Sequence, residues 1–450
     1  MENRPSLLRL YALAVPLLLL GLFIGFQLLH IQWVEGDELR AEAEKNVVRN
    51  IAIKAKRGSI FSSDGKLLAT NMPVYHVHFD PTVASDEVFN EGIADMCRGL
   101  ETLVDKERSS TEWQRLLTSM RRNNKQYITL SRSVDHSTLK ALKALPILKQ
   151  GRYKGGLITV QVDERKHPLG KIAERTVGYD EDFRKFGLEH AYTDELKGKD
   201  GTRLAQMISP GKWKPLTDHF SVEPIDGADL ISTIDTRLQD IAHQALEGAL
   251  EWHDADHGCA VLMEVKTGAV RAIVNLGRSS EGTSYYEKRN YAVWESTEPG
   301  STFKTIAMMA ALEDELIDTG MVIDTRNGIY EPVPGYKVKD SNVKNGKGGY
   351  GKINLSTALK KSSNTAIVKA LYGAYKNKPD RFVDRMYALG LDRRLGLEFK
   401  GEGKPKIPSD FESDELALPW MFFGYGMSFT PLQLLSMYNA IANDGVMIRP

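Results

Sequence analysis

Glu298-Pro299-Gly300-Ser301-Thr302-Phe303-Lys304, running on into Thr305 to Leu312, is the stretch on which the reading of this 450-residue chain turns. Pro299 and Gly300 make a tight entry, and Ala307, Met308, Ala310, Ala311 and Leu312 are strong helix formers, so a helix is predicted to begin at the serine. In a loop, a serine and a lysine three residues apart are inert partners. In the first turn of a helix they share a face, with side chains within reach of each other. A lysine buried there loses its charge readily, because desolvation disfavours the ammonium form. Neutral Lys304 can then take the Ser301 proton and turn a poor nucleophile into a good one, which is the chemistry of acyl transfer.

Alone, S-x-x-K arises by chance in a chain of this length and carries little weight. A second element changes that. Lys361-Ser362-Ser363-Asn364 lies between the amphipathic stretch Leu355 to Lys360 and the apolar run Ala366 to Leu371. A polar S-x-N turn held between two packed helices presents a hydroxyl and an amide to a cleft. Helix capping is the competing role for Ser362 and Asn364. The order and separation of the two elements favour the catalytic reading.

S-x-x-K with S-D-N and K-T-G is the signature of penicillin-binding proteins and class A β-lactamases. This chain resembles the class B penicillin-binding proteins, monofunctional D,D-transpeptidases, and its S-S-N form resembles the division-specific branch more than the elongation branch. The resemblance covers nearly the whole chain. Arg57-Gly58-Ser59-Ile60 with Asp64-Gly65 and Leu67 to Asn71 is similar to the opening of the family's non-catalytic domain. Gly187-Leu188-Glu189, Leu196 to Gly201, Asp226 to Gln239, and Phe423-Gly424-Tyr425-Gly426 with Thr430-Pro431-Leu432-Gln433 resemble later landmarks, in the right order.

The resemblance implies an α+β fold: one transmembrane helix, an elongated pedestal, and a transpeptidase module of helices around a five-stranded antiparallel sheet. It implies that Ser301 attacks the D-alanyl-D-alanine end of a peptidoglycan stem peptide, with Lys304 taking its proton. Ser362 would relay that proton to the departing D-alanine, Asn364 would hold the peptide, and β-lactams would trap Ser301. No cofactor is implied. Partners would be stem peptides, β-lactams, a SEDS-family glycosyltransferase and other division proteins, with no role for nucleic acid. The family's K-T-G strand follows the Thr430-Pro431 helix, and the sequence reaches Pro450 without it. The chain is therefore expected to be a fragment whose catalytic module is incomplete and acts poorly as it stands. Lys266-Thr267-Gly268 is a decoy, since it joins the apolar β-prone runs 260–265 and 269–274 and reads as a hairpin turn.

Leu10 to Leu29 is twenty residues without a charge, long enough to cross a bilayer as a helix. It is too long for a signal-peptide core, and no small-residue cleavage site follows. Arg4 and Arg9 precede it and Glu35, Asp37 and Glu38 follow, which places the N-terminus in the cytoplasm and the body outside. The expected division is a cytoplasmic tail 1–9, a transmembrane helix 10–30, a pedestal 31–225 and a transpeptidase domain 226–450. Equal numbers of acidic and basic residues, 59 of each, leave no nucleic-acid-binding footprint. Cys97 and Cys259 are read as unpaired thiols in separate domains.

His76 and His78 point to one strand face, and His253 and His257 have helical spacing. Zinc needs three or four convergent ligands; neither pair shows a third, and no metal site is assigned. The glycine-rich run 345–351 lacks the G-K-S/T ending of a phosphate loop. Two other functions compete with transpeptidation. A β-lactam-hydrolysing or sensing relative would need a glutamate-activated water, and no E-x-x-L-N segment follows Ser362. A catalytically silent, membrane-anchored division scaffold is favoured by the missing third motif and opposed by the intact Ser301, Lys304, Ser362 and Asn364.

Overall fold

The computed structural model describes residues 4–38, 48–209, 212–215, 222–282 and 284–450. Residues 1–3 of the expected tail and 39–47, 210–211 and 216–221 of the expected pedestal lie outside the described residues. The chain forms two compact units, Met1–Gly58 with Lys197–Ala228, and Ser59–Leu196 with Asp229–Pro450.

In the first unit, helix Arg4–His30 carries Pro16 and continues into a π-helical turn, Ile31–Glu35. Its Ala14–Glu38 portion is long and apolar enough to cross a membrane, and its large side chains from Val15 to Val34 stand exposed. The same unit holds a three-stranded antiparallel sheet in which Gly201–Ser209 lies between Val48–Ile53 and Lys212–Pro215. Asp200 clips the end of this sheet, accepting from Lys54 Nζ at 2.5 Å and from the Ala55 amide at 3.0 Å.

These units divide the chain differently from the linear scheme, and the reason is pairing. In the second unit, Ile60–Phe61 runs parallel to Leu230–Ile231. Ile60, Leu68 and Ala69 share a buried cluster with Ile234, Met263, Ile273 and Leu432. Residues 59–196 and 229–450 therefore bury apolar surface against each other, the dominant stabilising term in a fold.

Strand Leu67–Phe79 pairs with both Ile128–Val134 and Leu157–Lys166. The helices Asp86–Leu103 and Ser110–Arg122 start at serines whose side chains accept amide N–H bonds, Ser85 from Val88 and Ser109 from Glu112. Their Cys97 and Trp113 pack with Val77 and Phe79 in one buried cluster. His78 is buried there, bonded to Thr129 Oγ1 at 3.1 Å and stacked on Tyr127, and burial lowers its basicity. Both cysteines are free and belong to different clusters; burial pushes Cys97 up to about 12 and Cys259 to about 11.

Helix Thr236–Trp252 is capped by Asp235, whose side chain accepts the Arg237 and Leu238 amides. Its Gln239 side chain hydrogen-bonds both the N–H and the C=O of Ile273, each at 2.8 Å, and so fixes the helix on the sheet like a missing strand. That sheet has three strands among the described residues: His257–Met263, Val270–Arg278 and Tyr285–Tyr286. Lys266-Thr267-Gly268 occupies the hairpin turn, as read from sequence; Gly268 sits at φ +74° and its N–H donates to Glu264 O. The helical pairing of His253 and His257 is corrected. The helix ends at Trp252, His253 is its cap, and His257 opens the next strand, bonded to Glu295 at 2.9 Å.

Candidate active site

Ser301 lies in the 3-10 turn Gly300–Thr302, which feeds directly into helix Phe303–Glu313. The helix is held by Phe303, Ile306, Ala307, Ala310 and Ala311, all fully or nearly fully buried, with Phe303 stacked on Phe429 at 5.7 Å. The turn is clamped from the other side by a loop more than a hundred residues later. Gly300 N–H donates to Gly424 O at 2.9 Å, Gly426 N–H donates to Glu298 Oε1 at 2.8 Å, and Thr297 pairs with Phe429 as an antiparallel bridge. Tyr438 adds a bond from its hydroxyl to Thr302 O at 2.6 Å.

Gly424 has no alternative residue. Its φ is +90°, and a Cβ there would stand 1.9 Å from Gly300 O. Gly424→Ala is expected to lower stability by at least about 2 kcal/mol, read by chemical denaturation, and to displace the turn that carries Ser301.

Lys304 is completely buried, yet each hydrogen-bonding direction of its amine is used. Nζ donates to Ser362 O at 2.8 Å, to Ser362 Oγ at 3.1 Å and to Asn364 Oδ1 at 2.5 Å. Burial lowers its pKa to about 8, against the opposing pull of the Asp340 carboxylate. Roughly a tenth of the amine is then neutral at pH 7, against well under a thousandth for a solvated lysine.

The S-x-N corner is built by a division of labour. Helix Leu355–Lys360 is brought to an end by Ser362, which adopts φ +52°, a conformation uncommon for a side chain-bearing residue. Helix Asn364–Tyr375 is then capped by Ser363, whose Oγ accepts the Ala366 amide. Capping thus falls to Ser363. Ser362 and Asn364 are left to face Lys304, and the alternative role for them does not hold. Asn364 Nδ2 donates to Lys339 O at 2.8 Å, which fixes the amide so that its oxygen meets the lysine.

The structure joins Lys304, Ser362 and Asn364 by hydrogen bonds. Ser301 sits one turn before Lys304, exposed, and its hydroxyl makes no hydrogen bond among the described residues. An exposed hydroxyl thus stands one turn from a buried amine whose proton burial has loosened.

Sequence reasoning missed three supports: Glu298, Gly424 and, above all, Asp340. Asp340 is buried and accepts from Ser363 Oγ at 3.0 Å, Thr365 N at 2.9 Å and Thr365 Oγ1 at 2.6 Å, so one carboxylate ties the corner together. A signal existed. Tyr336 to Asp340 alternates inward and outward along strand Tyr336–Lys339, and the alternation aims the acidic residue inward beside Val338. The run 345–351 is a turn-rich loop pinned by the Asn342 side chain to Gly349, and it leads into strand Lys352–Asn354 rather than a helix.

Two family domains match this chain. The penicillin binding protein transpeptidase domain matches residues 258–450, and the penicillin-binding protein dimerisation domain matches residues 52–183; together they cover more than half of the chain. The peptidoglycan D,D-transpeptidase FtsI of Escherichia coli K12 is 26% identical over 447 residues, spanning 97% of this chain and 71% of that protein. FtsI of Buchnera aphidicola is 26% identical, over 94% of this chain and 71% of its own length. A probable peptidoglycan D,D-transpeptidase, PenA of Neisseria gonorrhoeae, is 25% identical over 93% and 69%. In fold, the chain resembles PBP2 of Helicobacter pylori, solved in complex with MreC, with a TM-score of 0.65 at 19% identity over 90% of this chain and 78% of that one. A peptidoglycan synthetase of Bifidobacterium adolescentis gives 0.60 at 22% identity, over 89% and 74%. With both domains present in the same order, and the serine–lysine and S-x-N elements meeting in the second of them, this chain belongs to the class B penicillin-binding proteins.

Proposed function

We propose that the chain is a serine-type peptidoglycan D,D-transpeptidase acting in septal wall synthesis, and that β-lactams inhibit it by acylating Ser301. The observation that carries this reading is Lys304: fully buried, lowered to about 8, and bonded to both Ser362 and Asn364 one turn from an exposed serine. Ser301 Oγ attacks the penultimate D-alanine carbonyl as its proton passes to Lys304 Nζ. Backbone N–H groups, that of Ser301 among them, hold the oxyanion. The amide C–N bond then breaks, and the departing D-alanine amine receives the proton from Lys304 through Ser362 Oγ. Asn364 orients the stem peptide. An amine of a second stem attacks the ester, returns the proton to Ser301 and forms the cross-link.

The apolar helix supports an anchored protein with its N-terminus in the cytoplasm and its body in the periplasm, divided into tail 1–9, anchor 10–30, pedestal 31–225 and transpeptidase domain 226–450. The S-S-N corner supports the septal role, in which a SEDS-family glycosyltransferase supplies the glycan. The full chain in detergent, incubated with a fluorescent penicillin, digested and analysed by mass spectrometry, should carry the adduct on the peptide containing Ser301. An adduct on any other residue, or labelling that persists after Ser301→Ala, overturns the assignment.

A further inference from the structure

We propose that a cleft framed by Arg175, Lys288, Arg289 and Lys400 is a binding site for an anionic saccharide, separate from the acylation chemistry at Ser301. The cleft has a volume of about 470 Å³, within the size range of small-ligand sites. Four cations line it and no carboxylate does. None of the four forms a salt bridge with a carboxylate side chain among the described residues, in a chain whose formal charge is zero.

The acidic group behind them is Glu287, buried beneath Arg175. It accepts the Arg175 backbone N–H at 2.7 Å, and its carbonyl accepts Arg175 Nε at 3.1 Å. Burial pushes Glu287 up to about 7, so it offsets the cations only in part at neutral pH.

The other walls are aromatic. Phe186, Trp294 and Phe399 line the cleft, with the Arg175 guanidinium 4.7 Å over the Phe186 ring and that of Arg289 4.9 Å over Trp294. Stacking holds each guanidinium plane and leaves its N–H edge for an anion, the geometry suited to carboxylate or phosphate. Trp294 is half exposed, and its broad apolar surface suits the face of a sugar ring. Asn290 also lines the cleft, and its Oδ1 is buried without a hydrogen-bond partner. Cations and ring faces together select an anion borne on a sugar over a bare anion or a neutral glycan. The wall is continuous with the catalytic turn: Gly403 N–H donates to Val293 O, and the segment beyond Trp294 runs into Pro299-Gly300-Ser301.

Two sources share this chemistry, a glycan whose sugars carry carboxylates and a sugar carrying phosphate. Binding to the full chain in detergent is measured by calorimetry with four probes. They are peptide-free strands of alternating N-acetylglucosamine and N-acetylmuramic acid, UDP-N-acetylglucosamine, the neutral N-acetylglucosamine hexamer, and polyphosphate. One of the first two is expected to bind at least tenfold more tightly than the last two, and which one it is names the source. Arg289→Ala with Lys400→Ala should weaken that binding at least tenfold, and Trp294→Ala at least threefold. Ser301→Ala should bind like the parent chain, so the result does not depend on the transpeptidase reading. A thermal melt accompanies each variant, and Arg289→Gln alone replaces the double variant if that one is unfolded. The site is overturned if the neutral hexamer binds as tightly as the charged sugars, or if polyphosphate does so and Trp294→Ala changes nothing. It is overturned equally if folded cation variants bind like the parent, or if Ser301→Ala abolishes binding.

Discussion

Lys304→Met is expected to slow acylation by fluorescent penicillin about a thousandfold, the middle of the range for removing a positioned general base. The parent rate should climb with pH through about 8, where Lys304 gives up its proton, and level off above; the variant should lose that rise. Stopped-time gel labelling from pH 6 to 10 reads both. Stability moves with the same group. In the unfolded chain the lysine holds its proton up to about 10.5, while in the native protein it releases it near 8. Between those values the unfolded state binds more protons, so native stability rises with pH across that window. Below it, the buried amine destabilises the fold by about 3 kcal/mol. Denaturant midpoints should therefore show the parent gaining on Lys304→Met from pH 8 to 10. Equal slopes for the two proteins would mean that Lys304 is not the neutral base.

Asp340→Asn should lower the plateau rate of acylation about a hundredfold, the cost of misplacing a reacting group by roughly an ångström. The carboxylate receives three hydrogen bonds from Ser363 and Thr365, and an amide can match only part of that pattern because its nitrogen is a donor. The corner that sets Ser362 and Asn364 against Lys304 loosens as a result. The substitution also removes the one charge that holds the proton on Lys304, so the midpoint of the pH–rate curve should move to lower pH. A purely structural part for Asp340 would depress the rate at every pH and leave the midpoint where it was. Asp340→Ala, which strips the buried donors of any partner, should cost about 3 kcal/mol in denaturant unfolding.

What could be read from the sequence is local. Helix Phe303–Glu313, the Lys266–Gly268 turn and the apolar helix all follow from propensity and patterning within a few residues. The S-x-N corner was legible as a polar turn between packed helices, and the assignment of the cap to Ser363 needed coordinates, because three adjacent polar residues compete for it. Hidden features span long separations. Gly424 closes on Gly300, Gly426 on Glu298, and Leu230–Ile231 on Ile60–Phe61; no local pattern encodes which distant partner a short segment meets. The histidine pair at 253 and 257 misled for the opposite reason: i,i+4 spacing has meaning only while the helix continues, and this one stops at Trp252.

The parallel pairing of Ile60–Phe61 with Leu230–Ile231 bears on how such enzymes are prepared for inhibitor screening. A polypeptide started at Asp226 would retain Ser301, Lys304, Ser362 and Asn364 but lose Ile60, Leu68 and Ala69, leaving Ile234, Met263 and Ile273 open to water. Potencies measured on an excised half of this kind would describe a protein with a torn interior. The two segments share one interior and are best prepared together.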